Sequence, residues 1–258
     1  MKSNLSNPWF IRKTGVMRSF RLYCFCYAGG SASTYLPWQA ELGPDVEVCA
    51  IQLPGRGMRL LEQPYRTMEP LVEDITQSIA NDSHIPFAFF GHSMGALVAF
   101  EVARNLARHQ LTTPLHLFAS GASAPQFRKS LGNLHTLPHD ELVEALRAYN
   151  GTPPEVLKHR ELMELLLPVV RADFEVIANY RYRPTELLHV PITVMAGKSE
   201  VFDRPEEVEE WARETTAACD IRWFDGGHFF IMPQRSAVLE CISGIIDQLS
   251  NKPSVLFR

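Results

Sequence analysis

Pro86-Phe87-Ala88-Phe89-Phe90-Gly91-His92-Ser93-Met94-Gly95-Ala96 decides the fold. The apolar run at 86–90 reads as a buried strand, and beyond Met94 the apolar positions 97, 98, 100, 103 and 106 recur at helical spacing. Strand, sharp turn and helix with serine at the apex form a nucleophile elbow, which holds a hydroxyl exposed at the end of a parallel sheet. Gly91 and Gly95 omit the side chains that would collide with the adjoining strand and helix. A bare G-x-S-x-G is common by chance, so the flanking pattern carries the reading. The bland alternative is a serine in an ordinary strand-to-helix turn.

Working outward, Phe20 to Phe25 reads as a strand opening into the glycine-rich turn Tyr27-Ala28-Gly29-Gly30-Ser31, followed by a short helix at 34–41. Val46 to Leu53 reads as a strand closed by Pro54-Gly55-Arg56-Gly57, and Leu71, Ile75 and Ile79 make 67–80 an amphipathic helix. A strand at 115–120 follows the elbow helix. From about 126 to 185 the alternation gives way to helical runs at 140–148, 154–159 and 161–180. The sheet resumes at Ile192 to Ala196, with a helix at 205–216, a strand at 221–224 and a terminal helix near 234–249. The expected fold class is α/β: an α/β-hydrolase fold, with a mostly parallel central sheet flanked by helices and a helical lid insertion at about 126–185. Helices inserted there would cover the nucleophile and limit water access, or else simply pad one sheet face. Residues 1–18 are expected to be an N-terminal arm on a single domain spanning 19–258.

Length and charge narrow the function. The 258 residues suit one large domain, and a net charge of -4 from 25 basic and 29 acidic residues argues against nucleic-acid or anionic-membrane binding. The N-terminus lacks the apolar segment of a secretory signal, and no run approaches a membrane span, so a cytoplasmic location and a monomer are expected. Five cysteines give no secreted-type framework; Cys24, Cys26 and Cys49 lie in strand-like runs as small buried hydrophobes. Neither a nucleotide-binding glycine motif nor metal-ligand spacing is present, so no cofactor and no metal are expected.

A serine hydroxyl is a poor nucleophile until an imidazole accepts its proton and an acid orients that imidazole, in the chain order nucleophile, acid, histidine for this fold. Of nine histidines, His228 follows a strand end and the pair Gly226-Gly227, which makes it the expected base; His92 is expected to pack beneath the turn. The acid belongs in the loop after strand 192–196. Position there favours Glu200, whereas Asp203 has the shorter side chain and is the alternate acid, or a cap for the helix opening at Pro205. Met94 and Ala28 are expected to offer the oxyanion hole's backbone N–H groups, with Tyr27 the alternate to Ala28.

CFCYAGGSAS at 24–33, LPGRG at 53–57, FFGHSMG at 89–95, RADF at 171–174 and WFDGGHFF at 223–230 occur in one order. Through these motifs the chain resembles the type II thioesterases, stand-alone editing enzymes that accompany non-ribosomal peptide and polyketide synthases. The resemblance covers nearly all of 20–248 and implies hydrolysis of acyl or aminoacyl thioesters from the phosphopantetheine arm of acyl or peptidyl carrier protein domains. It places the nucleophile on Ser93, the base on His228 and the oxyanion contacts on Ala28 and Met94. The sequence departs from the family at Cys26, where proline is usual, and at Glu200, where aspartate is usual. Tyr27 and Arg56 are candidate substrate or carrier entrance contacts, Arg56 alternatively a surface salt bridge, and Asp173 a tie from lid to core. Alternative functions are a fatty-acyl carrier thioesterase releasing medium-chain acids, a small-molecule carboxylesterase, and a non-enzymatic hydrolase-like interaction protein.

Overall fold

The computed structural model describes residues 7–13, 18–127, 133–149 and 151–250. The expectations for the rest of the arm (1–6 and 14–17), for 128–132 and 150 of the lid, and for 251–258 lie outside the described residues. Seven strands make one sheet in the order β1-β3-β2-β4-β5-β6-β7: β1 Phe10–Ile11, β2 Phe20–Phe25, β3 Val46–Ile51, β4 Phe87–His92, β5 Leu117–Ser120, β6 Ile192–Gly197 and β7 Cys219–Phe224. All pairs are parallel except β1 with β3, where the arm adds an antiparallel edge strand through Phe10↔Ile51 and Ile11↔Ala50.

The strands β2 to β6 are buried on both faces, which is why they read as apolar runs rather than alternations. Tyr23, Phe25, Phe87 and Phe89 point into one core with helices α1 (Met68–Ala80) and α2 (Met94–Arg108). Leu22, Cys24, Ala88 and Phe90 point into the other with α7 (Arg235–Ser250). Cys24, Cys26 and Cys49 are buried free thiols. Burial pushes Cys26 up to about 12 and holds it protonated, consistent with a packing role.

Two expected helices are finer in structure. The stretch read as 34–41 is a pair of 3₁₀ turns, Ala32–Thr34 and Leu36–Ala40, and 205–216 is α6 (Pro205–Glu209) continuing as a 3₁₀ turn, Glu210–Glu214. The buried residues explain both. Ala32, Tyr35 and Trp38, and again Val208, Trp211 and Glu214, recur every third position, the repeat of a 3₁₀ helix.

Between β5 and β6 lie α3 (His139–Tyr149), α4 (Pro154–Lys158) and α5 (Arg160–Asn179). Register Phe25↔Gly91, His92↔Ser120 and Gly197↔Phe224 brings the carboxyl ends of the parallel strands to one edge, where these helices sit. Among the described residues, no helix is long and apolar enough to cross a membrane.

Candidate active site

Ser93 stands between the last residue of β4 and the first of α2 with φ 56° and ψ −116°, a conformation L-residues avoid. Such a turn costs about 1–3 kcal/mol and persists because its surroundings over-determine it. Its amide donates to Ser120 O at 2.8 Å, and its carbonyl accepts from Ala96 N at 3.0 Å. A methyl group on Gly91 would lie 2.1 Å from Gly95 O, and one on Gly95 would lie 2.2 Å from Phe25 O. The second contact places the start of α2 against the end of β2, beside the turn that carries Ala28.

Ser93, Ala28, Tyr27 and His228 all border one cavity of about 440 Å³, roofed by residues of α3, α4 and α5. Met94 is fully buried behind it at the amino terminus of α2, where backbone N–H groups are unpaired within the helix. Among the described residues no hydrogen bond joins Ser93 to His228. Bonds of this kind are often long before substrate arrives, so shared exposure to one cavity is the relevant juxtaposition.

His228 Nδ1 bonds Glu200 Oε2 at 2.7 Å, both side chains being almost wholly buried. Glu200 Oε1 accepts from Val201 N at 2.7 Å and Phe202 N at 2.8 Å, so both carboxylate oxygens are engaged. Burial pushes this carboxyl up, but the hydrogen bond and charge of His228, together with the two backbone donors, outweigh it and hold the group below its usual range. Glu200 is therefore an ionised acceptor at neutral pH.

Asp203 is bound elsewhere. Its Oδ1 accepts from Ser123 N at 3.0 Å and Ser123 Oγ at 2.7 Å. The expectation that it caps the following helix is corrected: Arg204 occupies that position and makes no side-chain cap bond. The bond to His228 Nδ1 is made by Glu200, not by the alternate Asp203.

His92 lies beneath the turn as expected, with Nδ1 2.9 Å from Ser120 Oγ and its ring 5.2 Å from that of His228. Gly121, with φ 57°, makes space for it, since a Cβ there would fall 2.5 Å from the His92 ring. Burial drives His92 well below its usual value and the nearby His228 adds to the effect, so this ring is neutral.

Arg56 requires a correction. It is neither an entrance contact nor a surface pair: it is 6% exposed, with Nη2 2.7 Å from Asp173 Oδ1, Nη1 2.8 Å from Asp173 Oδ2 and Nη1 2.9 Å from Gly30 O. Burial opposes its charge, but Asp173 outweighs that effect and raises Arg56 above its ordinary value. Asp173 Oδ2 also accepts from Gly29 N at 2.7 Å. One carboxylate thus fastens α5, the PGRG loop and the turn beside Ala28 together.

Sequence reasoning missed two aromatic neighbours. Tyr149, the last residue of α3, stacks on Phe202 at 4.2 Å and meets the His228 ring edge-on, while Phe229 packs against Tyr27 at 4.9 Å. Phe229 lies in the motif WFDGGHFF; Tyr149 carries no local signal, because its partners Phe202 and His228 are remote in the chain. Along α5, Leu166 and Val170 border the cavity, Leu167 and Val169 are buried, and Leu165 is exposed.

The chain matches the family model described as thioesterase domain over residues 20–246. It is 38% identical to the gramicidin S biosynthesis protein GrsT of Aneurinibacillus migulanus, covering 91% of this chain and 92% of the relative. The solved type II thioesterase BorB from the borrelidin biosynthetic cluster is 34% identical, with TM-score 0.86 over 93% of this chain and 98% of that one. The RedJ thioesterase of the prodiginine pathway in Streptomyces coelicolor is 37% identical, with TM-score 0.83 over 92% of each. With its parallel hydrolase sheet, its serine elbow and its similarity to these enzymes along nearly its whole length, the chain belongs to the thioesterase family, as a type II thioesterase of the α/β-hydrolase fold.

Proposed function

We propose that this thioesterase removes unwanted acyl groups from the phosphopantetheine arms of carrier protein domains in a non-ribosomal peptide or polyketide synthase, through an acyl-serine intermediate. The observation that carries the reading is the buried His228–Glu200 bond on the wall of the cavity that Ser93 also borders. His228 takes the hydroxyl proton as Ser93 Oγ attacks the thioester carbonyl. Met94 N and Ala28 N stabilise the oxyanion, worth several kcal/mol in a preorganised site. Collapse breaks the C–S bond, and the proton held by His228 passes to the departing pantetheine sulfur. Water then enters, gives a proton to His228 and attacks the acyl-serine ester; as the bond from the carbonyl carbon to Ser93 Oγ breaks, His228 returns that proton to Oγ, releasing the acid and restoring Ser93.

The lining supports a substrate class. The lid contributes Leu146, Val156, Met163, Val170, Phe174 and Ile177, while Ser31, Ser33 and Thr34 add hydroxyls on the opposite wall. No Asp, Glu, Lys or Arg borders the cavity among the described residues. An acyl group with its own charge would be buried there without an ionic partner, at several kcal/mol. Propionyl- and butyryl-loaded carrier should therefore turn over with kcat/KM about 10²-fold above malonyl-loaded carrier, a difference of about 2.7 kcal/mol. Rates of acid release from carrier loaded with each group, beside the same acyl groups as simple oxygen esters, test both halves of the reading. Equal rates for malonyl and propionyl would contradict the neutral-acyl preference; free esters favoured by orders of magnitude would contradict the carrier substrate.

A further inference from the structure

Three facts about Asp203 are not used by the Glu200–His228 pair. One of its carboxylate oxygens, one of Glu200's and a ring nitrogen of His228 lie within 4.8 Å of one another. Ser123 holds only Oδ1, through its backbone N–H and its hydroxyl. The other oxygen, Oδ2, is buried and has no hydrogen-bond partner among the described residues. A buried acceptor left unpaired is costly, about 1–3 kcal/mol, and native structures keep few of them. Here the orphan belongs to a second carboxylate beside an imidazole that must become positively charged in every turnover.

We propose that Asp203 is an auxiliary positioning residue for His228: its negative charge supports the imidazolium alongside Glu200, and Oδ2 takes over the orientation of the ring when Glu200 is shortened. A separation of up to 4.8 Å is one that a bridging water or a small side-chain rotation spans. The loop is built to present the group. Phe202, between the two acids, is fixed by stacking on Tyr149, and Ser123 anchors Asp203 from the loop after β5.

Among the described residues the titratable neighbours are few. Glu200 and Asp203 approach His228 from the β6–α6 loop, neutral His92 from the elbow and Tyr149 from α3. Lys198 and Asp225 pair with each other at the surface, 2.7 Å apart. On the far side of Asp203, Glu207 Oε2 lies 3.3 Å from Ser123 Oγ and Glu207 Oε1 accepts from Arg204. The inference rests on the assignment of His228 as the base.

The test is a double-mutant cycle on the full chain with propionyl-loaded carrier, reading kcat/KM against pH. Removing a negative charge within about 5 Å makes the imidazolium less favourable, so D203N should move the acid limb down by about one pH unit. D203N should also cost about tenfold more in the E200A background than in the wild type, because there it removes the remaining acid. An unmoved acid limb with the same cost in both backgrounds would overturn the proposal and leave Asp203 a loop anchor. S123A supplies the second variant: it removes the hydroxyl bond to Asp203 but keeps the backbone N–H bond and the carboxylate charge, so its cost should be equal in both backgrounds. Synergy of S123A with E200A matching that of D203N would assign the coupling to loop structure and also overturn the proposal. H228A separates the two levels. Wild-type turnover in H228A would sink the base itself, whereas an inactive H228A with an additive cycle would sink only the role of Asp203.

Discussion

Ser93→Ala is expected to abolish turnover of acyl-loaded carrier, lowering kcat by about 10⁴-fold or more while the protein stays folded. The loss is large because the hydroxyl forms the covalent bond, and the imidazole and oxyanion donors have no substitute atom to act upon. The fold should be unaffected, because alanine at φ 56° carries the same backbone strain as serine. The pairing of Ser93 N with Ser120 O, which fastens the turn, also survives. Steady-state release of propionate, together with a thermal melt, checks both halves. A melt unchanged from wild type and a kcat reduced only a few-fold would exclude Ser93 as the nucleophile.

Asp173→Ala has the second large effect, on stability and rate together. Removing this carboxylate leaves the Arg56 guanidinium buried without its counter-charge, and breaking a buried pair from one side costs about 3–5 kcal/mol. For a chain of this size that corresponds to a melting midpoint lower by roughly 10 °C. Gly29 N loses its acceptor as well, so the turn carrying Ala28 loosens and kcat should fall about tenfold in the fraction that remains folded. R56M/D173L, which removes both charges and keeps apolar bulk, should recover much of the stability but not the rate. Equal melting midpoints for D173A and wild type would mean that the clamp contributes nothing.

The parts of this molecule that were legible in its sequence are those governed by local pattern. Phe87 to Phe90 followed by the apolar repeat of α2 located the elbow, because a strand buried on both faces and an amphipathic helix differ in period over a few residues. The helical interruption between β5 and β6 was legible for the same reason. What was not legible depends on partners remote in the chain. Arg56 in a Pro-Gly loop reads as a solvent-facing charge, yet its burial is dictated by Asp173, 117 positions away. The choice between Glu200 and Asp203 turns on which carboxylate the loop aims at His228. That aim is set by Phe202 against Tyr149 and by Ser123 on Asp203, contacts that no spacing encodes. The two-residue strand β1 is too short to show any periodicity, so its place on the sheet edge emerges only from pairing with β3. The three-residue repeats of Val208, Trp211 and Glu214 could have been read as 3₁₀ structure, but a tryptophan among glutamates masks the pattern.

In the proposed reaction the acyl group passes from pantetheine sulfur to the oxygen of residue 93. Rapid-quench intact-mass analysis of the wild-type enzyme mixed with propionyl-loaded carrier and sampled within the first turnover, followed by peptide mapping, observes that transfer directly. The expected result is a propionyl adduct on the peptide bearing Ser93, present within the first turnover of wild type and absent from S93A. Release of propionate at full rate with no adduct on that serine at any time, or with the adduct on another residue, would contradict it.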